Sequence, residues 1–261
     1  MELADLSLRR RERGFLAGGT QTGKSTLTEY LRDDFLARYP TARCHIADTK
    51  PRYKAQWRAT GRSAKSLYKK WDHGAFVPHS VLVMSPADMD TAWATGHRVT
   101  ICSTRRFAQA QDDCVAHFYE QGKRGMPRLI IVDETIDFFH GNGMPRGSGA
   151  IVDCSRSGAE QDLAELVCSQ RTKGISPQLM EHMSKLYAFA LDAQADAVRY
   201  GEFGAPVILV RRPGELPVPM WVTEDGSRRL PTKPRVFDYW TKLDREHVFG
   251  PYVLTLSALV S

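Results

Sequence analysis

The chain has 261 residues, with 25% charged and 42% hydrophobic side chains and a formal net charge of +6. That is the balance of a globular protein with enough chain to build one sizeable α/β core. No apolar run approaches the roughly 20 residues that span a bilayer, and the basic cluster in MELADLSLRRRERG has no apolar segment behind it. A helical membrane protein and a secretory signal are thereby excluded, and an intracellular protein is expected. The five cysteines (44, 102, 114, 154 and 168) are odd in number and form no CxxC pair, so free buried thiols are expected. The eight histidines show no HExxH or Cys/His ligand spacing, which argues against a zinc site.

In chain order, GFLA (14–17) reads as a strand that ends at Gly18. A helix is predicted from Lys24, with Leu27, Leu31 and Phe35 on one face and Pro40 beyond its end. Cys44 to Ala47 reads as a second strand ending at Asp48. From Lys50 to Lys70 run eight cations (Lys50, Arg52, Lys54, Arg58, Arg62, Lys65, Lys69, Lys70) without an acid. Tyr53, Trp57, Tyr68 and Trp71 are interleaved. This segment is either a solvated helix face or a surface for a polyanion. Strands are predicted at 81–84 and 99–102 and a helix over 107–121. Leu129 to Val132 is a continuous leucine and β-branched run, as in a strand buried on both faces of a parallel sheet. The glycine-rich GNGMPRGSG (141–149) reads as a mobile loop. A helix over 148–158, a strand over 163–169, a helix over 177–184 and strands at 186–190 and 206–211 follow. Alternating strands and helices predict a mostly parallel sheet with helices on its faces. After residue 212, prolines 213, 217, 219, 231 and 234 interrupt the pattern. Residues 1–212 are therefore expected to form the core, and 213–261 an extension packed on it.

Three stretches carry chemistry. Gly18-Gly19-Thr20-Gln21-Thr22-Gly23-Lys24-Ser25, running on to Thr26, fits GxxxxGK[ST]. Its glycines let backbone N–H groups close around phosphate oxygens at a helix N-terminus. Lys24 is expected to reach the β- and γ-phosphates of ATP, and the Ser25 hydroxyl to ligate Mg²⁺. In Leu129-Ile130-Ile131-Val132-Asp133-Glu134 an apolar strand ends in two carboxylates at the edge where α/β proteins place ligands. Asp133 is expected to hold the Mg²⁺, and Glu134 to act as general base on an attacking water. In Leu166-Val167-Cys168-Ser169-Gln170-Arg171 a core strand ends beside Gln170, which could hydrogen-bond the water or the γ-phosphate. Thr241-Lys242-Leu243-Asp244 matches a guanine-clamp pattern, but the preceding RVFDYW shows no clear buried strand. A GTPase is therefore disfavoured, as is a small-molecule kinase, which needs no glutamate beside the metal aspartate.

In order, GGTQTGKST, ADTKPRY (47–53), LIIVDE and SRSGAEQDLAELVCSQR (155–171) resemble the HerA–FtsK superfamily of P-loop ATPases, above all its compact viral genome-packaging members. The resemblance covers about residues 12–212. It implies an α/β fold of the additional-strand, catalytic-glutamate type, with a mostly parallel central sheet. It also implies a homo-oligomeric ring of five or six subunits that moves double-stranded DNA by phosphate contacts, without base reading. In such rings an arginine from the neighbouring subunit completes each site; by position this is Arg156, with Arg171 second. Arg146 in the 141–149 loop and the basic 50–70 segment are the candidate DNA contacts. The resemblance further implies a portal or capsid-vertex partner, no membrane, and a place in the cytoplasm of a host or with the virion. An ATP-switched assembly protein and a plasmid or chromosome DNA-transfer ATPase are the competing expectations.

Overall fold

The structure is a computed structural model. It describes residues 6–49, 52–68, 75–103, 108–121, 125–135, 149–172, 175–190, 199–200, 205–210, 218–223, 226–230, 236–241 and 248–253. The strands are β1 (Arg13–Ala17), β2 (Arg43–Asp48), β3 (Tyr53–Arg58), β4 (Ala75–Leu82), β5 (Val99–Ser103), β6 (Arg128–Asp133), β7 (Leu163–Ser169), β8 (Lys185–Phe189), β9 (Val207–Val210), β10 (Val218–Thr223), β11 (Gly226–Arg229), β12 (Val236–Thr241) and β13 (Val248–Val253). The α-helices are α1 (Lys24–Arg38), α2 (Pro86–Ala94), α3 (Ala108–Glu120), α4 (Gly149–Ser157) and α5 (Pro177–Glu181).

Ten strands form one sheet in the order β13-β12-β8-β1-β7-β6-β2-β5-β4-β3. The run from β8 to β3 is parallel throughout, and β12 and β13 continue it antiparallel. β7 lies between the strand of the glycine-rich loop and the strand of the two acids, which is the additional-strand arrangement that the resemblance implies. Every residue of β6 and β7 is buried, as expected of strands covered on both faces. One apolar layer packs α1 through Leu27, Leu31 and Phe35 against one face of the sheet. On the other face, α2, α3, α4 and α5 contribute Met89, Phe118, Ile151 and Leu179 to a second layer. All five cysteines are free and buried. His45 is fully buried and neutral, its pKa pushed down to about 3 by burial, and its Nδ1 lies 2.9 Å from Thr100 Oγ1.

Two expectations are corrected. The basic 50–70 segment is not a solvated helix: Tyr53 to Arg58 form an edge strand, and Lys54 is buried with its ammonium over the Phe76 ring. Lys50, Lys69, Lys70 and Trp71 lie outside the described residues. RVFDYW does contain a buried strand, β12, in which Phe237, Asp238, Tyr239 and Trp240 are all buried. Its aspartate is accommodated because Trp221 Nε1 donates to Asp238 Oδ2 at 2.6 Å, a buried polar group meeting a donor. β12 and β13 thus join the main sheet through β8, while β10 pairs with β9 and β11 on either side in a separate three-stranded sheet.

Arg128 is buried at the start of β6 and ties two connections together. Its guanidinium donates to the carbonyls of Phe118, Tyr119 (2.9 Å) and Gln161 (2.9 Å). Arg128→Ala leaves these acceptors without their donor and should cost about 3 kcal/mol. Thermal unfolding should show Tm lower by roughly 10 °C; a change within 2 °C would mean that solvent replaces the guanidinium.

Candidate active site

β1, β7 and β8 run parallel, so their C-terminal ends meet at one edge of the sheet. The loop from Gly18 to Gly23 leaves β1 there and is pinned to both neighbours. Gly18 N donates to Ser169 O at 3.3 Å, and Gly19 N to Ala190 O at 2.7 Å. A Cβ on Gly18 would stand 2.5 Å from Phe189 Cβ and 2.9 Å from Thr22 Oγ1, so only glycine fits this approach. Thr22 Oγ1 closes the loop by donating to Gly19 O at 2.9 Å. Gly23 caps α1 in the left-handed region (φ 107), and no side chain caps the first N–H groups. The positive end of a 15-residue helix is therefore presented to an anion.

Lys24 is buried, and its Nζ donates to the carbonyls of Gly18 (2.5 Å) and Gly19 (2.6 Å). Burial lowers its pKa and Arg52 adds to this, while Glu134 and Asp133 pull it back up. Ser25 and Thr26, in the first turn of α1, are half-buried. Gln21 holds a left-handed φ of 60° in the loop. Thr20 is exposed, and its hydroxyl reaches Gln170 Oε1 at 3.5 Å. The structure thus brings Gln170 to the glycine-rich loop.

The acids stand one strand away. Asp133 ends β6 in register with Asp48 at the end of β2. Glu134 follows in the left-handed region (φ 55), a conformation uncommon for glutamate and typical of functional turns. The main chain of β7 holds this turn. Gln170 N donates to Glu134 Oε1 at 3.2 Å, and Thr135 Oγ1 to Cys168 O at 3.0 Å.

Sequence reasoning placed Arg52 in the basic run and missed its site role. Its guanidinium lies 3.4 Å from Asp133 Oδ2 and 3.3 Å from Glu134 Oε2. Asp48 aims it, because Asp48 Oδ2 accepts from Arg52 N (2.8 Å) and Tyr53 N (3.1 Å). The available signal was Asp48 itself, a turn-forming aspartate ending a strand four residues before an arginine. Burial raises the pKa of Asp133, Arg52 opposes this, and Glu134 raises it further. Asp133 Oδ2 accepts no hydrogen bond among the described residues. The Arg52 guanidinium is its ionic neighbour, and this hard carboxylate oxygen and the Ser25 hydroxyl are the donor types that suit Mg²⁺.

Of the other expected residues, Arg171 is exposed in the turn after β7, where Ser169 Oγ donates to Arg171 O at 2.6 Å. Arg156 is exposed at the end of α4, and its carbonyl is met by Arg13, the first residue of β1. It therefore lies at the sheet edge opposite Lys24. The 141–149 loop with Arg146 lies outside the described residues except for Gly149. Thr241 pairs with Lys185 at the start of β8. The guanine-clamp pattern therefore begins at the edge away from the phosphate loop, and the buried β12 does not revive it.

No protein-family model and no curated protein sequence matches the chain. Solved structures do. The genome packaging NTPase B204 from Sulfolobus turreted icosahedral virus 2, in complex with AMPPCP, superposes with a TM-score of 0.54 at 12% identity over 93% of this chain and 98% of that one. Its complex with AMP gives 0.55 at 13% identity, over 94% and 98%. The chain therefore shares the fold of this packaging NTPase. The cytoplasmic domain of the type VII secretion ATPase EccC of Thermomonospora curvata superposes with a TM-score of 0.51 at 11% identity, over 98% of this chain and 25% of that one. Among the described residues, no helix is long and apolar enough to cross a membrane.

Asp133 gives a pH signature. Because burial raises the Asp133 pKa, stability is fully present below the ordinary carboxylate range and declines as pH rises through the folded pKa. Arg52→Ala removes the opposing cation and should deepen that decline. The Tm gap between wild type and variant should therefore widen from pH 5 to pH 8; a gap constant with pH would mean that Arg52 does not oppose the Asp133 charge.

Proposed function

We propose that the chain is an ATP-hydrolysing motor that moves double-stranded DNA, with viral genome packaging as its setting. The observation that carries the hydrolytic reading is the phosphate loop facing Asp133 and Glu134 across the single strand β7. In this reading the loop from Gly18 to Thr26 holds the triphosphate through its N–H groups from Thr20 onward and through Lys24, while the N–H groups of Gly18 and Gly19 anchor the loop to its neighbours. Ser25 and Asp133 would hold Mg²⁺, which when bound would supply positive charge against the phosphates. Glu134 accepts a proton from the attacking water, and Gln170 orients that water or senses the γ-phosphate. Glu134 is placed for this by Gln170 N, while Arg52 holds its second oxygen.

Arg156 stands at the far edge from its own phosphate loop, so in this reading it acts on the site of another copy in a ring; Arg171 is the second candidate. Arg58, Arg62 and Lys65 on and after β3 are partly or fully exposed and offer cations to DNA phosphates. The packaging setting rests on the fold shared with B204 and on the sequence resemblance, and it includes a portal or capsid-vertex partner.

Glu134→Gln should bind ATP with affinity within threefold of wild type and lose at least 100-fold in turnover. Retained turnover would remove Glu134 as the base. Double-stranded DNA should stimulate wild-type hydrolysis, with an effect that fades steeply between 50 and 200 mM salt. Slow turnover indifferent to DNA would favour an ATP-switched assembly protein. Arg156→Ala mixed with wild type should depress turnover more than in proportion to its fraction, as a site shared between copies requires.

A further inference from the structure

Beneath the sheet, away from the nucleotide site, lies a second cluster of charged groups in the apolar layer. Glu165 is fully buried in the middle of β7, in register with Arg13 on β1 and Ile130 on β6. Ser155 on α4 donates to Glu165 Oε2 at 2.5 Å. Glu165 Oε1 and Arg13 Nε are both buried without a hydrogen-bond partner among the described residues. The Arg13 guanidinium instead donates through a terminal nitrogen to the carbonyl of Arg156 at 3.5 Å. The last turn of α4 is thus held at two consecutive residues, Ser155 by the carboxyl and Arg156 by the arginine.

We propose that Glu165 is a positioning residue: through Ser155 it fixes the last turn of α4, and with it Arg156, at the sheet edge opposite the phosphate loop, and its charge state decides whether Arg13 stays on the Arg156 carbonyl. This rests on the reading that Arg156 serves another copy's site. A buried carboxyl with one spare oxygen is an unstable tenant of an apolar layer, so its protonation decides what Arg13 does. When Glu165 is neutral, Arg13 remains on the Arg156 carbonyl. When Glu165 ionises, its carboxylate competes for the guanidinium, and the helix end loses one of its two ties.

The surroundings place this exchange near neutrality. Burial raises the Glu165 pKa to about 7, against the Ser155 hydrogen bond and the Arg13 charge. Burial lowers the Arg13 pKa, and Glu165 raises it. Cys154 on α4 faces both Glu165 and Arg13, with Arg128 on β6 as a further neighbour of Cys154, and burial keeps the Cys154 thiol protonated. A group whose folded pKa is raised is most comfortable below its ordinary range, so the tie on α4 weakens as pH rises through 7.

The test measures ATP turnover of the assembled full-length protein from pH 6 to pH 8, alongside the Kd of a fluorescent ATP analogue. Wild-type turnover should fall several-fold towards pH 8 with Kd unchanged. Glu165→Gln, which keeps an acceptor for Ser155 but cannot ionise, should hold its pH 6 turnover across the range. Glu165→Leu should lose about tenfold in turnover with Kd within twofold. If wild type and Glu165→Gln share one pH profile, the proposal is wrong, whatever Glu165→Leu does to folding. Arg156→Ala separates the two failures. Full activity in that variant removes the shared-site reading and this proposal with it. Lost activity in Arg156→Ala beside an unaffected Glu165→Leu overturns the proposal alone.

Discussion

One inserted strand sets the geometry on which the site depends. Neighbouring strands lie about 4.8 Å apart, so placing β7 between β1 and β6 separates the phosphate loop from the two acids by roughly 10 Å. That gap has room for a terminal phosphate and a water in line with it. Were β6 beside β1, the carboxylates would crowd any phosphate held by the glycine-rich loop. β7 also does more than space: Ser169 O anchors Gly18, Cys168 O anchors Thr135, and Gln170 N holds Glu134. Loop and acids are registered to each other through the main chain of the strand between them.

Such a site concentrates negative charge in a dry place, and the structure answers with a cation from outside the two motifs. Asp133 and Glu134 are both buried, and two adjacent buried carboxylates repel unless a positive group stands near. Arg52 is that group. It arrives because β2 pairs with β6, so the turn after Asp48 opens beside the turn after Asp133. Lys24 makes the complementary arrangement on the loop side, its ammonium resting on the carbonyls of Gly18 and Gly19. Each charged group is thus held by main chain or by an opposite charge before any nucleotide phosphate enters, which limits the rearrangement that binding requires.

What was legible in the sequence follows from how local each signal is. GGTQTGKS declares its fold because a tight anion-binding turn needs particular residue types at fixed spacing. LIIVD declares a covered strand because nothing polar interrupts it. Both are found where expected. β12 was illegible because its aspartate breaks the apolar run, and what neutralises that break, Trp221, sits 17 residues away in the chain on another sheet. Arg52 was illegible for the same reason in reverse. It looked like one of eight cations in a row, and only the adjacency of β2 and β6 separates it from the rest. Lys54, two residues on, was hidden likewise: Tyr53, Lys54 and Ala55 are buried in succession on β3, and the Lys54 ammonium lies over the Phe76 ring.

The opposite placement of Lys24 and Arg156 has a consequence for assembly. A five-residue strand spans about 16 Å, so an arginine at the start of β1 and a phosphate loop at its end cannot serve one nucleotide within one chain. If Arg156 works, it works on a surface unlike its own. Contacts between unlike surfaces repeat from copy to copy, and they leave unused surfaces at both ends unless the succession closes. A closed ring is the arrangement in which every phosphate loop receives an arginine and every Arg156 has a phosphate to meet. The angle at which α4 presents Arg156 then bears on the rate at every site. That is why a buried carboxyl at position 165, far from any nucleotide, can matter to turnover.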